Sequence, residues 1–308
     1  MTPVFDSFEE RHKVLWQGFP VRLRHRLHEL KFFDDTSLAD LIDLAPSQMI
    51  HYSKKGTLEK AAQFSYCDRS GLSGKEVLKA VKKGRLWVNL MKLQEADRRY
   101  ADLLDWIYED LSARLSGFKP VRRNLGLLIS SPHAMVYFHC DLPDQCLWQI
   151  RGEKRVWIYP NREPFLNRNG LENLARGITE EVMPYEAWFN DYAIQFKLEP
   201  GDMLHWPVHS PHRVENLDSL NVSITTGHWT FETRRSFAVN YANGLLRSKF
   251  GHAPRSQQIT GPVFWTKAGL ALAWRRMGLE RRERFKRSFV FKLDPEAEMG
   301  VRPLDPAS

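Results

Sequence analysis

The chain has 308 residues, and its 45 Lys and Arg against 37 Asp and Glu leave a net charge of +8, so it can bury a large core and is only mildly basic. With 43% hydrophobic and 27% charged residues, its composition excludes a largely disordered chain, and no apolar stretch approaches the length of a membrane helix. Met1 to Glu10 lacks the basic and apolar regions of a secretory signal, and three cysteines (Cys67, Cys140 and Cys146) leave one unpaired in any disulfide scheme, so a reducing, cytoplasmic location is expected.

Residues 1–118 read as a mostly helical N-terminal region that packs on a barrel formed by the middle of the chain. Ser37 to Asp40 has the pattern of a capping box ahead of Leu41 and Ile42, and Pro46 stops that short helix. Ser73 is placed to cap a second helix over Lys75–Lys83, which ends near Gly84. Between Gln94 and Leu115, the residues Tyr100, Leu103, Leu104, Ile107 and Leu111 recur at helical spacing, and Gly117 supplies the stop. These positions read as core packing.

Residues 119–232 change texture. Leu127–Ser130, Ala134–Cys140, Leu147–Ile150, Lys154–Tyr159, Ala193–Leu198, Met203–Trp206, Arg213–Glu215 and Asn221–Thr226 are short runs of strand type. Arg151-Gly152-Glu153 and Pro200-Gly201-Asp202 are turns between them. Asn161 to Asn190 is charged and punctuated by Pro and Gly, and reads as an insertion with a helix around Gly170–Ala175. Many short strands between turns predict a mainly β fold, a β barrel or jelly roll with N- and C-terminal helices.

Residues 233–308 return to helix over Arg234–Leu246 and Phe264–Met277, and the tail from Leu293 reads as extended or disordered. The segment Arg275 to Arg287 carries much of the positive charge. It is either a solvated helix face or a contact for an acidic partner such as nucleic acid, anionic lipid or an acidic peptide. Phe264, Trp265, Leu270, Leu272, Trp274 and Met277 offer enough apolar surface for a homodimer through the C-terminal helices.

The chemistry concentrates in His139-Cys140-Asp141 and in the later Gly201-Asp202…Pro207…His212. Side chains alternate along a strand, so His139 and Asp141 point to one side and present an imidazole nitrogen and a carboxylate together. His-x-Asp with a distant second His is the ligand set of the facial triad that holds non-haem Fe(II) with open positions. His212 is favoured over His209 for the third place because it precedes the strand Arg213–Glu215; His205 and His133 read as packing or hydrogen-bonding residues. Lys154 follows a Gly turn and points into a barrel that is otherwise apolar, which is costly unless it meets an anion.

His139 and Asp141, then Gly152-Glu153-Lys154, then Gly201-Asp202…Pro207…His212 together resemble the JmjC/cupin-like (cupin 8 type) family of Fe(II)- and 2-oxoglutarate-dependent oxygenases, which includes asparaginyl and lysyl protein hydroxylases. The resemblance implies a double-stranded β-helix (jelly-roll/cupin) core over residues 119–232, in which His139, Asp141 and His212 hold Fe(II) and Lys154 binds the far carboxylate of 2-oxoglutarate. Further cosubstrate contacts fall to Tyr137, Gln145 and Thr225, with Ser223 another hydroxyl in reach. Val136 stands where the family often has Thr, and Gln145 where it often has Asn. The implied activity is a dioxygenase, most simply a hydroxylase, acting on a protein or peptide side chain, a small metabolite or a modified RNA base. A non-catalytic cupin-like binding or regulatory protein with a vestigial metal site is the alternative.

Overall fold

Two apolar layers frame this fold, one between the two sheets and one between the large sheet and the helices outside it. The structure is a computed structural model that describes residues 3–16, 18–54, 65–69, 71–180, 183–279 and 289–304. In chain order the elements are α1 (Glu10–Leu15), β1 (Val21–Arg24), α2 (Asp35–Leu44), β2 (Ile50–Lys54), β3 (Ser65–Asp68), α3 (Gly74–Lys83), β4 (Leu86–Leu90), α4 (Leu93–Ala96) and α5 (Arg98–Arg114). The barrel strands follow as β5 (Val121–Ser130), β6 (Met135–His139), β7 (Asp144–Arg151) and β8 (Lys154–Ile158), then α6 (Arg168–Arg176), then β9 (Ile194–Leu198), β10 (Asp202–His205), β11 (His212–Asn216) and β12 (Asn221–Trp229). The chain closes with α7 (Phe231–Phe250), α8 (Gly261–Arg276), β13 (Phe289–Leu293) and β14 (Val301–Pro303).

Among the described residues these strands form two sheets. The large one has the order β1-β10-β7-β12-β5-β4-β2-β3-β13-β14, and the small one β6-β11-β8-β9. Leu128, Leu147 and Leu204 of the large sheet pack against Val136, Val156, Ile158, Leu198 and Val214 of the small one. This is the expected double-stranded β-helix core. The other face of the large sheet, with Leu125, Leu127, Ile129, Trp148, Val222 and Ile224, is covered by Leu38, Leu41, Val77, Leu104 and Ile107 from α2, α3 and α5. In β12 the apolar Val222 and Ile224 face that outer layer and alternate with Ser223, which faces Lys154 inside the barrel.

Several expectations need correction. Helices α1 to α5 supply most of the regular structure of the N-terminal region, but β1 through β4 join the large sheet as well; β4 pairs with β5 through Trp87↔Ser130 and Leu90↔Leu127. Its strands are short and pair over long separations, which leaves little periodic signal. The cap of α2 is Asp34, whose carboxylate accepts from Ser37 N at 2.8 Å, so Ser37 sits inside the first turn. The run Gln94–Leu115 is two helices, split where Asp97 turns extended and caps α5. The tail is not extended freely: β13 pairs in parallel with β3, and Leu293 and Val301 are buried in the main core. Ser73 caps α3 as expected, in a full capping box with Glu76. The insertion holds its helix, α6, which docks on α7 through Arg247 Nε to Glu172 Oε2 at 2.9 Å. The basic stretch beyond residue 279 lies outside the described residues, and no described helix is long and apolar enough to cross a membrane.

Candidate metal centre

β6 and β11 lie side by side in the small sheet, with His139 opposite His212 and Val136 opposite Val214. Three steps on β6 thus match two on β11, so β6 carries a bulge. Val136 packs into the barrel, yet His139 also faces inward, with its ring centroid 4.0 Å from that of His212. Strict alternation would have turned one of them outward. The extra residue re-aims His139 toward its partner.

One ligand atom from each of His139, Asp141 and His212 lies within 4.8 Å of the others. Asp141 Oδ2 is 3.5 Å from His212 Nε2. His139 Nδ1 donates to the Tyr137 carbonyl at 2.6 Å, and His212 Nδ1 donates to the Ser210 carbonyl at 3.1 Å. A carbonyl can only accept, so both protons sit on Nδ1 and each Nε2 keeps its lone pair. Burial holds His212 down at about 4 and raises the Asp141 carboxyl against the opposing pull of His139. Two fixed lone pairs and a carboxylate facing one space suit a cation. The ring of Trp206, 4.6 Å from His212, walls the site on one side.

Lys154 enters from β8 and is buried, with Nζ donating to Ser223 Oγ of the opposite sheet at 2.7 Å. Burial lowers its amine to about 7. Ser223 in turn donates to Gln149 Oε1 at 2.8 Å, and Gln149 Nε2 donates to Asn221 Oδ1 at 2.7 Å. The turn before Lys154 needs Gly152, whose φ is +73° and whose Cβ would stand 2.5 Å from the Leu220 carbonyl oxygen. A cavity of about 30 Å³ beside Lys154 is lined by Trp87, Ser130, Val136, Val214 and Asn216 among others.

The structure brings His139, Asp141 and His212 together and puts Lys154 in the same barrel. Gln145 and Thr225 lie on the interior face of the large sheet: Gln145, Gly227 and Asn124 form one row across β7, β12 and β5, and Thr225 lies in the next row beside Gly126. Gln145 Oε1 is buried without a hydrogen-bond partner. Tyr137 sits in the bulge, where its carbonyl is what engages His139. His209 stays outside the convergent set. His205 is on the far side of the large sheet, stacked on Trp16 at 4.0 Å, and His133 is exposed near Asp218. Sequence reading passed over Asn216, Ser130, Asn124 and Trp87. Counting in twos from His212 reaches Asn216, and counting back from Leu128 reaches Asn124. Trp87 had no local signal, since only the β4–β5 pairing places it.

A jelly roll with two histidines and an aspartate converging inside it defines a metal-binding cupin architecture. A family model described as a cupin-like domain matches residues 73–229 of the 308, just over half, and the chain belongs to that family. No curated protein matches it. Among solved structures, the chain is similar to YcfD of E. coli at 18% identity, covering 88% of this chain and 68% of that one with a TM-score of 0.50. A further structure is that of YcfD as a ribosomal oxygenase from E. coli in complex with cobalt and 2-oxoglutarate, at 19% identity, 84% and 63% coverage and a TM-score of 0.47. This likeness is one of fold, and the chain spans about two thirds of the length of these neighbours.

Proposed function

We propose that this protein is an Fe(II)- and 2-oxoglutarate-dependent dioxygenase, a hydroxylase. The observation that carries the reading is one barrel holding both a His139–Asp141–His212 cluster, with its Nε2 lone pairs turned to one space, and a buried lysine held by a hydroxyl rather than a carboxylate. Each half alone is a common structural accident; together they match the two ends of a metal-chelating keto acid. His139, Asp141 and His212 would hold the iron, and the hydrogen bonds to the Tyr137 and Ser210 carbonyls fix their orientation. When bound, iron and keto acid supply oxygen activation, with decarboxylation to succinate and carbon dioxide and delivery of a hydroxyl to a substrate C–H bond.

The remaining roles belong to the chain. Lys154 would form a charge-assisted hydrogen bond to the far carboxylate, and the Ser223–Gln149–Asn221 chain keeps its amine aimed into the barrel. Gln145 and Thr225 would contact the cosubstrate from the large sheet, with Tyr137 contributing from the bulge. Asn124 and Asn216 join them as candidates on their positions. Apolar packing by Leu147, Val156 and Trp206 keeps water out. The neighbour YcfD is a ribosomal oxygenase, and on that analogy of fold a protein side chain is the prime substrate we favour. A cytoplasmic location fits the buried Cys67, Cys140 and Cys146, which form no disulfide with one another. The basic end of α8 is offered to an acidic partner, and its exposed Trp265, Leu272 and Met277 to a second copy.

A second reading has one observation in its favour. The cavity beside Lys154 is small, about 30 Å³, which suits a non-catalytic binding module with a vestigial site. An anaerobic titration with Fe(II) and 2-oxoglutarate, following the visible metal-to-ligand charge-transfer band, separates the two. The hydroxylase reading expects a band in the wild type that His139→Ala or Asp141→Ala abolishes. No band in folded protein with excess iron would leave the binding module.

A further inference from the structure

The strand register measures depth in the barrel from the metal cluster. His212 and Asn216 are four residues apart on β11, about 13 Å at the rise of a strand, and Asn216 stands opposite Lys154 on β8. β7 leaves the metal end at Asp144 and reaches the far end at Arg151, just before the Gly152 turn. On the large sheet Ser223, the partner of Lys154, shares a row with Leu128, and Asn221 and Ser130 form the next row on the same face. β4 adds Trp87 to that last row, opposite Ser130. Trp87 thus lies one row deeper than the partner of the lysine, at the end away from His139 and His212.

Leu86, Val88 and Leu90 of β4 are buried in the core outside the sheet, so Trp87 turns to the barrel side, where it lines the cavity of about 30 Å³ beside Lys154. It is the largest side chain in that lining, and it is half-buried where Ser130, Ala134, Lys154 and Asn216 are buried. The indole therefore stands between the cavity and the outside. Its neighbours are fixed. Asn216 Nδ2 donates to Ser130 Oγ at 2.7 Å and to the Ser131 carbonyl at 2.8 Å, and Leu86 N donates to Ser131 Oγ at 2.8 Å. With this floor tied down and β4 paired to it, the indole is the wall whose size sets how far the cavity runs past Lys154.

We propose that Trp87 determines which keto acid this protein accepts: its indole closes the barrel one row beyond Lys154, so a five-carbon 2-oxo dicarboxylate ends at the lysine and a six-carbon one meets the indole. The role rests on the keto-acid reading above. Lys154 Nζ is held by Ser223 Oγ at 2.7 Å, so a far carboxylate finds its cation at one depth. One more methylene carries that carboxylate past the ammonium and against the indole. The charge-assisted hydrogen bond is then lost, and a packed wall yields only at a cost.

The test titrates the full-length protein, anaerobically and with Fe(II) present, with 2-oxoglutarate or with 2-oxoadipate, its homologue longer by one methylene. The charge-transfer band reads each affinity. Wild type is expected to favour 2-oxoglutarate by about 10- to 200-fold, the range for one methylene in a fitted pocket. Trp87→Ala opens the far end, so 2-oxoadipate binding is expected to strengthen by about tenfold or more, while Fe(II) affinity, measured by competition with a chromophoric chelator, stays at the wild-type value. Trp87→Phe keeps an aromatic wall and is the milder change for the fold; it is expected to shift the preference the same way by a smaller factor. An unchanged preference in Trp87→Ala, or in Trp87→Phe where the alanine variant does not fold, overturns the proposal and assigns Trp87 to packing. A wild type that binds both acids alike overturns it and leaves the keto-acid reading standing. A wild type with no band for either acid removes that reading, and this role with it.

Discussion

At the scale of single residues, Lys154 is where structure and chemistry pull hardest against each other. Burial lowers its amine from the usual 10.5 to about 7. An unfolded chain keeps that proton to about pH 10.4. Between these values the folded form binds fewer protons, so this group's contribution to stability rises with pH and falls as the solution is acidified toward 7. A bound carboxylate reverses the preference by pairing with the ammonium. Binding of 2-oxoglutarate at pH 8 is therefore expected to take up a proton and to weaken as pH rises from 7 to 9. Calorimetry in buffers of different ionisation enthalpy measures both. Lys154→Met is expected to remove the proton uptake and to weaken binding by about tenfold or more, while Tm without ligand holds or rises because a buried amine is gone. Proton uptake that persists in the variant would move the anchor to another cation.

At the scale of elements, local chemistry explains the turns and caps well. Ser73, with Glu76 three residues on, caps α3, and Gly152 turns β7 into β8 because only glycine fits there. Gly152→Ala combines left-handed strain with a 2.5 Å approach to the Leu220 carbonyl oxygen. It is expected to cost about 2 kcal/mol of unfolding free energy, read by chemical denaturation, and to weaken 2-oxoglutarate binding more than Fe(II) binding, since Lys154 moves with the turn. Equal stability to wild type would show that the hairpin relaxes without loss. The bulge in β6 belongs to the same scale and was not legible. Counting in twos places Tyr137 and His139 together, whereas the pairing with β11 inserts an extra step between Val136 and His139. A bulge is a property of two strands in register, so one strand's sequence carries no sign of it.

At the scale of the whole molecule, the large sheet draws on both ends of the chain. β13 extends it beside β3, and β14 continues to its edge. The helices α7 and α8 pack on each other, with Tyr241, Leu245 and Ala271 buried between them, while Trp265, Leu272 and Met277 stand 64%, 53% and 62% exposed. So much apolar surface on neighbouring turns is more than scattered exposure. If α8 forms a homodimer, light scattering of the wild type gives twice the chain mass, and Leu272→Glu with Trp265→Glu shifts it to the monomer without lowering the Fe(II) affinity. A wild-type monomer at high concentration would remove the second copy as a partner.

By itself the sequence determined the residue types, the turns and most of the strands of the barrel, because these rest on alternation, capping and glycine geometry within a few neighbouring residues. It marked His139, Asp141, His212 and Lys154 because ionisable groups in apolar, strand-forming segments are costly without a purpose. Only the tertiary structure decided that β6 and β11 meet with a bulge, that both imidazoles donate through Nδ1, that β4 brings Trp87 to the Lys154 cavity, and that the tail closes the sheet. Each of these depends on which distant strands pair and in what register. That choice is made by the balance of buried area and loop closure over the whole chain, and no local run of residues records it.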